Sequence, residues 1–151
     1  MSKEDCFHLG VKVLIFNEKG QMLLLQLNPK KFDPTTESDE VIWDLPGGRI
    51  NRGELLHEAL KREVYEETCL ESIENIQSVS IDLTDVRVPV GTMDVGLIYA
   101  TYSCEIKGNH SIRTSKEHLS YMWVSPDEAA SRLPLDFPSN LRAKLLGWVA
   151  I

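Results

Sequence analysis

Four carboxylates and one guanidinium crowd a short stretch of this chain: Glu54, Arg62, Glu63, Glu66 and Glu67. Glu63 stands three and four positions before Glu66 and Glu67, so on a helix all three are neighbours. Like charges at that spacing repel by about 0.2–0.5 kcal/mol per pair on an exposed helix. A cation among the carboxylates would turn the repulsion into ligation. At about 100° per residue, Leu56, Ala59, Leu60, Glu63, Val64 and Glu67 share one side, and Glu58, Lys61 and Tyr65 the other. Glu63 and Glu67 therefore lie on the apolar face, where an unpartnered charge is costly. Glu66 lies at the edge of that face, within i+4 reach of Arg62. A cluster of hard oxygen donors, with no His or Cys on the face, suits Mg²⁺ or Mn²⁺ and not zinc. The competing reading is an ordinary amphipathic helix with a salt-bridged edge.

The elements before the helix bear on that choice. Residues 41–45, Val-Ile-Trp-Asp-Leu, read as a short buried strand running into Pro46-Gly47-Gly48. Glycines at such a turn let the backbone bend and approach a ligand closely. A strand, a glycine turn and an acidic helix bring backbone carbonyls beside the carboxylates.

Residues 48–70 resemble the Nudix box: Gly, five residues, Glu, seven residues, Arg-Glu, an aliphatic, any residue, Glu-Glu, any residue, Gly, an aliphatic. Gly48, Glu54, Arg62, Glu63, Val64, Glu66, Glu67 and Leu70 match it, and the preceding Trp-Asp-Leu-Pro-Gly-Gly is typical of the family. Cys69 departs, standing where the family has the glycine that ends the helix in a left-handed conformation. The mismatch costs roughly 1 kcal/mol and removes no ligand position. The resemblance implies a Nudix-like α/β/α sandwich around a mixed β-sheet. It also implies a metal-dependent hydrolase, with Mg²⁺ (or Mn²⁺) held by Glu63, Glu66, Glu67 and the Gly47 carbonyl. Arg62 would orient Glu66 or Glu54, and Glu54 would support the ligands from behind. Family members place a further glutamate in the stretch occupied here by Glu117, so either Glu63 or Glu117 would take a proton from water. His118 next to it reads as a strand-edge histidine, and His57 falls near the exposed side of the helix.

Outside this segment the signals are weaker. Arg87, Arg113, Lys116, Lys30 and Lys31 are candidates for phosphate contacts. Trp43 and Tyr102 could stack on a base but lie in strands, where sheet-face packing is the simpler reading. Asp136, Phe137 and Asn140 form a candidate base-reading cluster before the last helix.

The resemblance leaves the substrate open. The proline about 15 residues past the box in ADP-ribose hydrolases has no counterpart at Asp85-Val-Arg87, and Pro89 comes late. The tyrosine about 17 residues past it in dinucleoside polyphosphate hydrolases is replaced by Arg87 and Val88. The expectation is a pyrophosphohydrolase acting on a nucleoside diphosphate linked to a group X, with nucleoside triphosphates, damaged ones included, favoured. ADP-ribose, dinucleoside polyphosphates and nucleotide sugars are alternatives. A nucleotide sensor without catalysis is a further one, although such modules lose box carboxylates and all four are present.

Composition narrows the class. With 23 acidic and 16 basic residues the net charge is −7, which disfavours nucleic acid polymers and anionic membranes as partners. A small nucleotide substrate is an anion too, so a divalent cation would have to invert the local field. Cys6, Cys69 and Cys104 form no Cys-x-x-Cys pair, and no leader pattern or long apolar run is present. A single domain over residues 1–151, cytoplasmic and monomeric or homodimeric, is expected.

Strands are expected over 7–16, 22–25, 76–83, 93–106 and 118–124, from their alternating or continuous apolar residues. Residues 17–20 read as a hairpin turn, 28–39 as a polar loop, 84–91 as a loop carrying Arg87, and 108–110 as another turn. Ser125, Pro126 and Glu128 signal a helix start, and 141–149 reads as the closing helix.

Overall fold

The alternation in the first two strands builds two cores at once. In the computed structural model, which describes residues 3–148, strand β1 (Phe7–Phe16) turns through Asn17–Gly20 into β2 (Met22–Leu27). The Asn17 side chain accepts the Lys19 and Gln21 N–H groups, both at 3.0 Å, and Gly20 supplies the positive φ of 74°. Leu14, Phe16, Met22 and Leu24 face one side of the sheet, while Val13, Ile15, Leu23 and Leu25 face the other. Seven of these eight side chains, all but Phe16, have no exposed surface, and each fully buried one is worth about 1.5–3 kcal/mol.

Seven strands form one mixed sheet. After β2 come a single helical turn, α1 (Pro29–Phe32), and the strands β3 (Trp43–Asp44) and β4 (Gly47–Arg49). Helix α2 (Leu56–Thr68) leads to the long hairpin β5 (Glu74–Val90) and β6 (Met93–Glu105), and then to β7 (His118–Val124). The path runs β3-β2-β1-β6-β5, with β4 pairing on β1 and β7 on β2. The pairing of β1 with β6 is parallel over ten residues, and the other pairs are antiparallel. Helix α2 packs Leu60 and Val64 on one face of the sheet. Helices α3 (Pro126–Arg132) and α4 (Ser139–Leu145) pack Ala129, Ala130, Leu141 and Leu145 on the other. This is the expected α/β/α sandwich. No helix among the described residues is long and apolar enough to cross a membrane.

Several local expectations hold. Ser125 caps α3, accepting the Glu128 N–H at 3.2 Å, with Pro126 in the first turn. Others are corrected. Residues 84–90 are not a loop: β5 continues to Val90 and turns into β6 through Gly91 and Thr92, with Val90 opposite Met93. Pro89 is tolerated there because β5 is an edge strand, where a missing N–H costs no ladder bond. The Gly47-Gly48 turn is itself strand, β4 pairing with Gly10–Lys12 of β1. The strand over 41–45 shrinks to Trp43–Asp44, and the polar loop 28–39 contains α1. The closing helix is Ser139–Leu145, and Val149 lies outside the described residues.

Cys69 caps α2 in the left-handed region, at φ 62° and ψ 16°, its N–H donating to Tyr65 O at 2.8 Å. The helix end keeps the geometry that a glycine would adopt without strain. The side chain is exposed, so replacing it sacrifices no packing. Cys69→Gly should therefore raise stability by about 0.5–1 kcal/mol, read as an upward shift of the thermal or urea midpoint. An unchanged or lower midpoint would mean that the thiol contributes something its exposure does not suggest.

Candidate active site

The wheel assigned to α2 is the one observed. Ala59, Leu60, Glu63, Val64, Glu67 and Thr68 are buried, while Glu58, Lys61 and Tyr65 are exposed. Glu63 and Glu67 retain only 8% and 5% exposure, so two carboxylates sit side by side on the face that packs against the sheet. Glu66 stays half exposed at the edge.

Arg62 organises this group with all of its donors. Its Nε and Nη2 clasp Glu54 at 2.6 and 2.9 Å, its Nη1 reaches Glu63 at 2.8 Å and Glu66 at 3.2 Å, and Nη2 also donates to Arg49 O at 3.2 Å. Five N–H groups make five bonds, a fork that lysine cannot reproduce. Glu54 stands in the turn before α2, not on the helix, and also accepts the Asn51 N–H at 2.6 Å. The Arg62 guanidinium, with that backbone donor, holds the Glu54 carboxyl below its ordinary range.

Glycine lets the backbone meet the carboxylates. A Cβ on Gly48 would fall 2.5 Å from Glu63 Oε1. One on Gly47 would collide with the Val11 carbonyl on β1. The Gly47 N–H donates to Glu67 Oε2 at 3.0 Å, which fixes one oxygen of that carboxyl against β4. Burial pushes the Glu67 carboxyl up to about 8; the Gly47 N–H and Lys12 oppose the rise, and Glu63 and Asp44 add to it. Burial also raises Glu63, with Arg62 pulling the other way.

Lys12 is the nearby buried cation. Its ammonium bonds both Asp44 oxygens, at 3.0 and 3.1 Å, and Leu45 O at 3.3 Å, and lies 5.0 Å from the Tyr99 ring centre. Burial alone would lower its pKa, but Asp44 and Tyr99 outweigh it and the group is held charged above the ordinary lysine value. One positive charge already spoken for by Asp44 leaves the buried acidic pair short of neutralisation.

These groups open into a cleft of about 870 Å³, lined among others by Gly47, Gly48, Arg62, Glu63, Glu66 and Glu67. Glu117 lines the same cleft, and its charge acts on Glu63. His118 is buried beside it, with burial lowering its pKa and its Nδ1 without a partner among the described residues. A second hollow of about 780 Å³ shares no lining residue with this one.

A divalent cation is compatible with this donor set: two buried carboxylates, the half-exposed Glu66 and the Gly47 carbonyl are all hard oxygens, and burial is what raises Glu67. Among the described residues no three acidic, His or Cys side chains already converge as a metal cage. The reason is visible, since Arg62 Nη1 stands between Glu63 and Glu66. Loading would require those two carboxylates to turn away from Arg62, which keeps its two bonds to Glu54.

The remaining candidates disperse. Arg87 lines the cleft but is engaged by Asp5 at 2.5 Å and Asp94 at 3.2 Å. Phe137 packs on the α3/α4 side of the sheet, 5.6 Å from the Arg142 guanidinium, and Asn140 donates to Asp82 at 3.3 Å. Neither is among the residues lining this cleft. Trp43 packs with that same core, Tyr102 with the α2 side, and His57 stacks edge-on against Tyr102 at 5.5 Å. Of the lysines, Lys31 and Lys116 line the cleft and Lys30 does not. Sequence reasoning passed over Lys12, Asp44 and Phe32. A lone lysine in an otherwise apolar strand, Val11-Lys12-Val13-Leu14, was the available signal for the first.

Comparison with known proteins agrees with this geometry. The NUDIX domain family matches residues 7–146. The chain is 29% identical over 136 residues to a Bacillus subtilis (strain 168) protein assigned as an 8-oxo-dGTP diphosphatase, covering 90% of this chain and 76% of that one. It is 33% identical over 98 residues to the nucleoside triphosphatase NudI of Salmonella schwarzengrund (strain CVM19633), covering 58% of this chain and 64% of that one. The MutT protein from Methanosarcina mazei Go1 superposes with a TM-score of 0.66 at 28% identity, over 97% of each chain.

Two measurements probe the site itself. The Glu67 carboxyl, raised from 4.5 to about 8, favours the folded state fully below about pH 4.5, and that contribution is lost as pH rises through about 8. The metal-free melting temperature should fall over that window, Mg²⁺ should restore it more at pH 8 than at pH 5, and Glu67→Gln should flatten both trends. Gly48→Ala should leave a folded protein, because the atom it strikes is a movable carboxylate, yet lower turnover at least tenfold by displacing Glu63. Unaltered kinetics would separate Glu63 from the chemistry.

Proposed function

The chain belongs to the Nudix family and is a pyrophosphohydrolase, and from that premise we propose that it is a Mg²⁺-dependent hydrolase of nucleoside triphosphates, damaged or non-standard ones included. The observation that carries the proposal is the buried pair Glu63 and Glu67 beside the Gly47–Gly48 backbone, open to a cleft large enough for a nucleotide. Relatives named for 8-oxo-dGTP diphosphatase and nucleoside triphosphatase activities support the substrate class.

Glu63, Glu66, Glu67 and the Gly47 carbonyl would hold the cation. When bound, a divalent ion stabilises charge on phosphoryl oxygens and makes water easier to deprotonate. The chain's own residues do the rest. The Gly47 N–H keeps one Glu67 oxygen against β4, so that the other is aimed. Arg62 and Glu54 brace the start of α2 and limit how far Glu63 and Glu66 can swing. Water attacks a phosphorus of the anhydride, the bond to the bridging oxygen breaks, and its electron pair leaves with the departing phosphate or pyrophosphate. Glu63 or Glu117 accepts the water proton, the two lining one cleft. Lys12 stays charged beside Glu67 and offsets part of its burial.

A hydrolysis screen over nucleoside triphosphates, ADP-ribose, dinucleoside polyphosphates and nucleotide sugars tests the reading. Turnover should be greatest on triphosphates and vanish with EDTA. Glu67→Gln should keep the Gly47 bond and the fold but lose at least a hundredfold in kcat. Activity surviving chelation, or preference for ADP-ribose, would overturn the metal role or the substrate class respectively.

A further inference from the structure

The cations that line the cleft divide into two groups. Lys12 is neutralised by Asp44, Arg62 by Glu54, Glu63 and Glu66, and Arg87 by Asp5 and Asp94. Arg49, Lys31 and Lys116 also line it, and none of the three has an ion-pair partner among the described residues. Lys116 precedes Glu117 in the chain, and the turn carrying Lys31 is bonded to that segment through Asn28. Phe32, next to Lys31 in the chain, is 68% exposed and lines the same cleft. Helix α1 buries none of its residues, so packing gives no reason for an aromatic side chain there. A phenylalanine left in water on the lining of a cleft that also carries lysine ammonium groups without ion-pair partners is suited to a ligand with one flat apolar part and one negative part.

The wall is held in place. Asn28 donates its backbone N–H to Glu117 O at 2.8 Å and its side-chain amide to Lys116 O at 3.2 Å, while its Oδ1 caps α1 by accepting the Lys30 N–H at 3.2 Å. One residue therefore ties the turn bearing Lys31 and Phe32 to the segment bearing Lys116 and Glu117.

We propose that Phe32 is the platform on which the nucleobase of the substrate stacks, with Lys31 and Lys116 meeting its phosphate chain. The proposal rests on the nucleotide reading of the site given above. A ring face is read by stacking, and every base offers one. The chain is accordingly permissive toward the base, accepting purine and pyrimidine nucleotides, with purines gaining from their larger face.

The test uses the full chain, its Phe32→Ala and Phe32→Trp variants, four nucleoside triphosphates, and inorganic tripolyphosphate as a base-free competitor. Wild-type kcat/KM should vary by no more than about tenfold among the bases. Phe32→Ala should raise KM for every nucleotide by roughly five- to a hundredfold with kcat nearly unchanged, and Phe32→Trp should restore it. Inhibition by tripolyphosphate should be the same in all three proteins, since no base is present. A KM indifferent to Phe32→Ala, or an equal loss of tripolyphosphate inhibition, would overturn the stacking role, the latter by showing that the wall had moved. Calorimetric binding of a non-hydrolysable triphosphate separates the two readings: Phe32-dependent binding without turnover would sink the hydrolase assignment and leave the platform standing, whereas turnover insensitive to Phe32 would do the reverse.

Discussion

Two negative charges buried on the apolar face of one helix are the constraint around which this molecule is arranged. A carboxylate taken out of water needs hydrogen bonds, a counter-charge or a proton. The fold supplies some of each and not enough of any. Gly47 gives Glu67 one backbone donor, Lys12 gives it a charge shared with Asp44, and Arg62 divides itself among three carboxylates. The residue of that imbalance is the Glu67 carboxyl, which burial pushes up to about 8. Structures seldom keep such a cost without a use, and the hard oxygen donors around it are compatible with a divalent cation.

The neighbouring elements follow from that demand. The β4 strand must come close enough to α2 for its N–H to reach Glu67, and only glycine leaves room for Glu63 alongside. Pairing of β4 with β1 fixes that approach, and β1 in turn is set by its ten-residue parallel partnership with β6. The two cores on either side of β1 and β2 are what make this frame stiff. Placement of the carboxylates is inherited from the middle of the sheet, through the pairing of β4 with β1.

Much of the arrangement was legible in the sequence, and the rest was hidden for identifiable reasons. The inward face of α2 could be read because a helix of 3.6 residues per turn leaves little freedom in where Glu63 and Glu67 point. Ser125 and Pro126 announced α3 because capping is local chemistry. Strand β4 was invisible because two glycines carry no side-chain periodicity. The second half of β5 resembled a loop because Pro89 and alternating charges suit either a loop or an edge. The association of Lys12 with Asp44, and the binding of Arg87 to Asp5 and Asp94, depend on strands meeting across the sheet. Local pattern carries no information on such pairings, nor on the fact that Phe137 and Asn140 end up on the face opposite α2. Phe32 was passed over because an aromatic residue in a polar loop is noticeable only once its exposure is known.

Asn28 has a consequence for how affinity is assembled here. Two of its hydrogen bonds join segments nearly ninety positions apart in the chain, and a third caps the turn that carries Phe32. Ordering a free loop around a ligand subtracts from binding in proportion to the torsions that must be frozen. With the two segments already joined, that entropy is lost during folding, once, and not again at each encounter. The cleft meets its ligand as a preorganised surface. Discrimination between ligands then comes from the fit of side chains on a fixed backbone, and a change at Asn28 would be felt as weaker association across all of them alike.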